Sequence, residues 1–438
     1  MPEAFLLRGA RVIDPAARRD ETLDVRVADG VVTDVGPQLG VNHAEEIDCD
    51  GLVLAPGFVD LHTHLREPGR EDAETVASGS RAAARGGYTA VCAMANTDPV
   101  ADSAGIVEQV AALGREAGLC DVHPVGAITV GLAGEQLAEM GEMARSAARV
   151  NFFSDDGRCV QNAGLMRRAL EYARTFDAIV ANHAEERDLA SGGQMNEGEV
   201  SALLGLQGVP AAAEEVVIAR DLALAALTGA RLHVPHVSTA GSVELIRTAK
   251  ARGARVTAEV TPHHLTLTDE VLTGYDPVFK VAPPLRTHED IDVLRAALAD
   301  GTIDCVATDH APHPQEDKER EFDQAPPGML NLETALGVLI GFLVDAGTID
   351  LIRFVEVMSV APARVRGLAE QGGPITPGAV ANLVLFDPTA AWTVEPEALA
   401  SRSRNTPFAG RTLHGRVIHT IYRGLFTVRD GRDADGQG

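Results

Sequence analysis

Residues 57–64 read Gly-Phe-Val-Asp-Leu-His-Thr-His, an apolar run that closes on two histidines one residue apart. In a strand, alternate side chains share a face, so His62 and His64 point the same way. A helical stretch, Ala73–Arg85, follows, and then a second apolar run at 88–94 (YTAVCAM). Strand-like runs recur near 122–128, 149–153, 178–182, 230–237, 255–260 and 303–308. Between them lie Ala-rich helical stretches such as Gly105–Ala117, Asn162–Thr175, Ala211–Thr228 and Ser242–Ala251. Eight strand–helix units in succession predict an α/β fold of the TIM (β/α)8 barrel type. The run at 122–128 is the least regular of the eight.

The two ends have another texture. Short strands with polar turns are expected at Phe5–Arg8, Leu23–Ala28, Val31–Val35 and Gly51–Leu54, and again at Leu383–Phe386, Arg416–Tyr422 and Leu425–Val428. The parse is therefore a barrel over 56–366 and one small composite β domain built from 1–55 and 367–438. The last eight or so residues, ending DADGQG, are expected to fray. At roughly 150 residues per domain the length of 438 would suggest about three domains, but such a barrel absorbs about 250 residues as one.

Composition narrows the function classes. A net charge of −25 and a pI near 4.9 argue against phosphate-backbone binding and against an anionic membrane surface, so neither nucleic acid nor membrane is expected as a partner. No stretch approaches a membrane span, and the first residues carry no charged-then-apolar leader. Five cysteines, an odd number without a C-x-x-C pair, argue against a disulfide framework or a thiolate zinc site and point to a reducing, cytoplasmic setting. The basic residues are lopsided: of 38 Lys+Arg, only Lys250, Lys280 and Lys318 are lysine.

Chemistry in this barrel gathers where the strands end. Here the ends carry His62-Thr63-His64, Ser154-Asp155-Asp156-Gly157, Asn182-His183, His236, Thr261-Pro262-His263-His264 and Thr308-Asp309-His310-Ala311-Pro312-His313. Eight of the 14 histidines lie there. Imidazole and carboxylate together suit zinc or a similar divalent ion. More candidates than one ion needs suggest two metals sharing a bridge. Many two-metal barrels bridge with a carbamylated lysine, but no lysine precedes Lys250. A carboxylate must then bridge, and Asp155 or Asp156 is the acidic pair after the fourth strand. His233, at an odd offset from His236, is expected to be structural, as are His263 and His264. His310 is expected to orient rather than ligate. His43, His123, His288, His414 and His419 read as surface or packing residues. The acidic segment Pro314–Asp323 reads as a solvated loop or a lid.

Several motifs together resemble the dihydroorotase family: D-L-H-T-H-L-R-E-P-G (Asp60–Gly69), A-N-T-D-P (Ala95–Pro99), F-S-D-D-G (Phe153–Gly157), V-S-T-A (Val237–Ala240), T-P-H-H-L, A-T-D-H-A-P-H-x4-K (Ala307–Lys318) and N-T-P-F-A-G-R (Asn405–Arg411). The D-D-G version is similar to the class I bacterial enzymes of the amidohydrolase superfamily. The resemblance implies zinc-dependent interconversion of (S)-dihydroorotate and N-carbamoyl-L-aspartate in pyrimidine synthesis. It implies one Zn2+ on His62, His64 and Asp309, a second on His183 and His236, and Asp156 as the bridge. Metal-activated hydroxide would attack the ring amide with Asp309 as general acid and base. Substrate contacts would fall to His64, Arg66, Asn96, His313 and the Pro327-Gly328 segment. A homodimer and an association with aspartate transcarbamoylase are both compatible with the resemblance.

Two positions depart from the family's pattern. Ala282 stands where Asn often precedes P-P-L-R, and Pro327 stands where Phe often precedes the glycine. The rival readings are a dihydropyrimidinase, hydantoinase or allantoinase, which typically keep the bridging lysine, and a non-catalytic scaffold for aspartate transcarbamoylase, which would lose metal ligands that this chain keeps.

Overall fold

The computed structural model describes residues 4–434. Nineteen strands follow in chain order. The first five are β1 (Phe5–Asp14), β2 (Arg19–Ala28), β3 (Val31–Gly36), β4 (Glu45–Asp48) and β5 (Val53–Pro56). Next come β6 (Phe58–Thr63), β7 (Tyr88–Ala93), β8 (Asp121–Pro124), β9 (Phe152–Ser154) and β10 (Ile179–Ala181). A short pair, β11 (Met195–Asn196) and β12 (Gly208–Val209), precedes β13 (Arg231–Val234), β14 (Val256–Val260) and β15 (Cys305–Val306). The last are β16 (Leu383–Thr393), β17 (Thr412–Tyr422), β18 (Leu425–Arg429) and β19 (Arg432–Asp433).

The eight expected runs become β6 to β10 and β13 to β15. They form two parallel sheets, β6-β7-β8 and β9-β10-β13-β14-β15. Parallel bridges Gly126–Phe153 and Thr63–His310 join the two sheets at both seams and close the barrel. The irregular third run pairs only over Asp121–Pro124, and Gly126 makes the seam beyond it. The helices lie where their apolar periodicity put them, at 76–85, 104–117, 163–174, 212–228 and 240–251. The first starts later than expected because Thr75 and Ser78 form a capping box there.

Both chain ends share one nine-stranded sheet, in the order β19-β18-β17-β16-β5-β1-β2-β3, with β4 on β1. The seam is the antiparallel pairing of β5 with β16, where Pro56 faces Leu383 and Val53 faces Phe386. Its strands run longer than the apolar pattern suggested. Residues 19–22 are polar, yet they pair along β1, with Arg11 bridging Asp20. β4 is polar and largely exposed, so it carried no hydrophobic signal. Phe58 packs edge-on against Tyr88 (5.7 Å) and Phe354 (5.8 Å), and Phe354 meets Phe386 (6.0 Å), which joins the sheet to the barrel.

The expectation of a frayed end needs correction. Residues 435–438 lie outside the described residues, but β19 pairs with β18, and Asp433 is buried. Its carboxylate takes Arg85 Nε at 2.7 Å and Arg81 Nη1 at 3.1 Å from the helix 76–85. Two cations on one helix face need a counter-charge, and the chain end supplies it. Asp433→Ala is expected to cost about 2 kcal/mol, the usual worth of hydrogen bonds to a charged group, read as a lower melting temperature.

All five cysteines are free thiols; burial pushes Cys49 and Cys120 up to about 12 and Cys92 to about 11. No described helix is long and apolar enough to cross a membrane.

Candidate metal centre

Six side chains converge at the C-terminal ends of β6, β9, β10, β13 and β15. His62, His64, Asp156, His183, His236 and Asp309 are all buried. Asp156 stands between two histidine pairs. Its Oδ1 lies 3.2 Å from His62 Nε2, 3.4 Å from His236 Nε2 and 3.6 Å from His183 Nδ1, and its Oδ2 lies 3.3 Å from His64 Nε2. Asp309 Oδ1 is 3.1 Å from His64 Nε2 and 3.5 Å from His62 Nε2. His183 Nδ1 and His236 Nε2 approach to 3.0 Å. Two donor sets result, each able to hold one ion: His62, His64 and Asp156; and Asp156, His183 and His236. His62 Nε2 tests the fit, because it is buried, aimed into the cluster and without a hydrogen bond. A divalent cation on imidazole and carboxylate donors satisfies such an atom.

Electrostatics keep the cluster anionic at its carboxylates. Burial opposes the charge on Asp156, but His62 and the hydrogen bonds from His183 and His236 hold it well below the usual carboxylate range. Asp309 is lowered in the same way, against burial, by His62 and His64. Arg66, His236 and Asp309 take left-handed backbone angles, with φ of 60°, 33° and 45°. Such conformations cost on the order of 1–3 kcal/mol each and cluster at functional sites.

Behind the six stands a layer that sequence reasoning missed in part. Glu259 Oε1 accepts from His62 Nδ1 at 2.9 Å, and its Oε2 meets His233 Nε2 at 2.9 Å, with His233 Nδ1 on Thr257 at 2.8 Å. The available signal was a lone carboxylate inside the uncharged run of β14. Asp60 Oδ1 accepts the amides of His62 and Thr308, stitching the first and last strands together. Asp155 turns away from the cluster and accepts the amides of Ile128 (2.7 Å) and Thr129 (3.0 Å). His264 is held by Thr261 and the Pro283 carbonyl, His263 by Asn331, and His310 leans on Glu74 at 3.5 Å.

One wall of the site carries the other expected residues. Arg66 donates from Nε to the Pro312 carbonyl at 3.1 Å and forms no ion pair among the described residues. Burial lowers it to about 10, still a cation at neutral pH. Asn96 Oδ1 accepts from His64 Nδ1 at 2.8 Å, which ties its carbonyl to a histidine and leaves its amide nitrogen to donate to a ligand. His313 Nε2 donates to the Pro327 carbonyl at 2.9 Å. Gly328 sits at φ 137°, and a Cβ there would come within 2.7 Å of His313 Nε2. Asn405 ties the wall together by donating to the carbonyls of Ala311 and Gly328. A cavity of about 350 Å³ opens beside it, lined by Glu185, Met195, Ala282 and Pro327 among others; both departures from the family pattern border it.

A family profile described as dihydro-orotase-like matches residues 51–242. A protein of Streptomyces coelicolor named dihydroorotase is 58% identical over 427 residues, covering 98% of this chain and 99% of that protein. One of Mycobacterium tuberculosis with the same name is 53% identical over 430 residues, covering 98% and 99%. The chain belongs to the dihydroorotase family. As such it is a hydrolase of cyclic amides. Among solved structures, an L-hydantoinase from Arthrobacter aurescens superposes with a TM-score of 0.87 at 26% identity, covering 99% of this chain and 97% of the other. A dihydropyrimidinase from Brevibacillus agri gives 0.84 at 27% identity, covering 98% and 96%. This dihydroorotase-family chain thus shares its barrel and end-built β domain with other cyclic amidases. After β9 this chain has Asp155 and Asp156 and no lysine.

Proposed function

We propose that this chain interconverts (S)-dihydroorotate and N-carbamoyl-L-aspartate, a step of pyrimidine synthesis, with two Zn2+ bridged by Asp156. The observation that carries the reading is Asp156 itself, whose two oxygens face both histidine pairs at 3.2–3.6 Å. His62, His64 and Asp309 would hold one ion, and His183 and His236 the other. When bound, the metal pair supplies a water of lowered pKa and polarises the ring carbonyl. Asp309 takes the proton of that water at a carboxylate oxygen as the C–O bond forms. It then delivers the proton to the ring nitrogen as the C–N bond breaks. Arg66 offers a planar fork to the substrate carboxylate, and the Asn96 amide adds a hydrogen bond. His313 stays neutral, since burial and Arg66 push it down to about 2, and its ring with the Pro327-Gly328 backbone closes the pocket.

Turnover of dihydroorotate, set against dihydrouracil, hydantoin and allantoin, tests the reading. Activity on the last three alone would overturn it. Arg66→Ala is expected to raise KM for dihydroorotate roughly 10- to 100-fold, the worth of charge-assisted hydrogen bonds to a carboxylate. An unchanged KM would remove Arg66 from the site. The same reading takes 56–366 as the catalytic barrel, 1–55 with 367–438 as its companion domain, and the cytoplasm as its setting, which the five free thiols support. It admits a homodimer and a complex with aspartate transcarbamoylase, which sedimentation of the chain alone and with that enzyme separates.

A further inference from the structure

Two of the three lysines meet at the wall of the site. Lys280 Nζ donates to Gln194 Oε1 (2.6 Å) and to the carbonyls of Phe322 (2.7 Å) and Asp323 (3.4 Å). Lys318 Nζ donates in the opposite direction, to the carbonyls of Pro277 (2.9 Å), Lys280 (3.4 Å) and Pro326 (2.8 Å). Each ammonium has three N–H groups, and each finds three neutral oxygens. Among the described residues neither forms an ion pair, so neutral oxygens rather than a counter-charge hold each Nζ in place. A planar guanidinium cannot aim at three convergent oxygens in this way. That accounts for lysine here in a chain that otherwise relies on arginine. The Lys280 carbonyl also accepts the amide of Gly328 at 2.8 Å, and Phe322 is buried beneath the Lys280 ammonium, its ring centroid 5.2 Å away. The segment 314–328 is therefore buckled to the turn at 277–280 at these points, while its acidic face, Glu316, Glu319, Glu321 and Asp323 included, stays exposed as expected of a solvated loop.

We propose that Lys280 and Lys318 are positioning residues: a reciprocal clasp that holds His313, Pro327 and Gly328 in register against the substrate. The proposal rests on the reading that this wall contacts dihydroorotate. Lys318→Met is expected to leave zinc content and kcat near wild type and to raise KM about tenfold, the pattern of lost binding without lost chemistry. Hydrogen–deuterium exchange over 314–328, measured without substrate, is expected to quicken. Lys318→Arg keeps the charge and the aliphatic stem but replaces the compact ammonium with a longer planar fork, so it guards against misfolding, and it is expected to share both effects. Unchanged exchange in the folded variants would overturn the clasp. Faster exchange with an unchanged KM, in a wild type that turns over dihydroorotate, would overturn its action on substrate. The exchange measurement needs no activity. A wild type inert toward dihydroorotate would therefore count against the proposed reaction and not against the clasp.

Discussion

Asp309→Asn is expected to lower kcat for dihydroorotate by about 10²–10⁴-fold, the range general acid–base groups supply, while metal content stays at the wild-type level. The amide keeps the shape of the carboxylate and one oxygen to face His64 Nε2, which lies 3.1 Å from Asp309 Oδ1. Four histidines and Asp156 remain to hold the ions. What the amide cannot do is accept a proton and return it. The carboxylate is well suited to that task because His62 and His64 keep it ionised in spite of its burial. Elemental analysis alongside kcat checks the prediction. Full turnover in the variant would assign proton transfer to another group, and loss of metal would make Asp309 chiefly a ligand.

Asp156→Ala is expected to weaken metal binding by more than about 100-fold, beyond the 10–100-fold typical of residues that only support a ligand, and to abolish activity with it. Removing the carboxylate leaves four buried imidazoles with Asp309 beside His62 and His64 only and dissolves both donor sets at once, since Asp156 belongs to each. Asp155→Ala is the matched control. It removes an acceptor from the amides of Ile128 and Thr129 and is expected to cost stability while metal stays bound. Titration of both variants with zinc, read with their melting temperatures, separates the two roles. Equal metal loss in both variants would refute the assignment of the bridge to Asp156.

How much of this was legible beforehand differs from element to element. Most barrel strands and the helices named above were, because β6, β7, β9, β10 and β13 to β15 are largely buried on both faces and read as apolar runs, whereas β8, half-buried over Asp121–His123, read as the irregular one. β4 and the first half of β2 were not, because polar edge strands take their conformation from the partner strand and carry no pattern of their own. Asp433 was read as part of a frayed end because its partners, Arg81 and Arg85, lie about 350 positions earlier. Glu259 left a trace as a lone charge in an otherwise uncharged strand, but nothing in its neighbours names His62 and His233 as the groups it joins.

By itself, the sequence determined which residue types stand at each strand end and that no lysine could bridge there, since none precedes Lys250. Without the family resemblance it left Asp155 and Asp156 equivalent, and it left Lys280 and Lys318 as unassigned loop charges. Only the tertiary structure separated them. Neighbouring residues at a strand end point to opposite sides, so Asp155 meets the 128–129 backbone and Asp156 meets four histidines from three other strands. The physical reason is range. Periodicity and chain composition are local properties, whereas a metal site or a lysine clasp exists only when barrel closure brings residues tens to hundreds of positions apart within hydrogen-bonding distance.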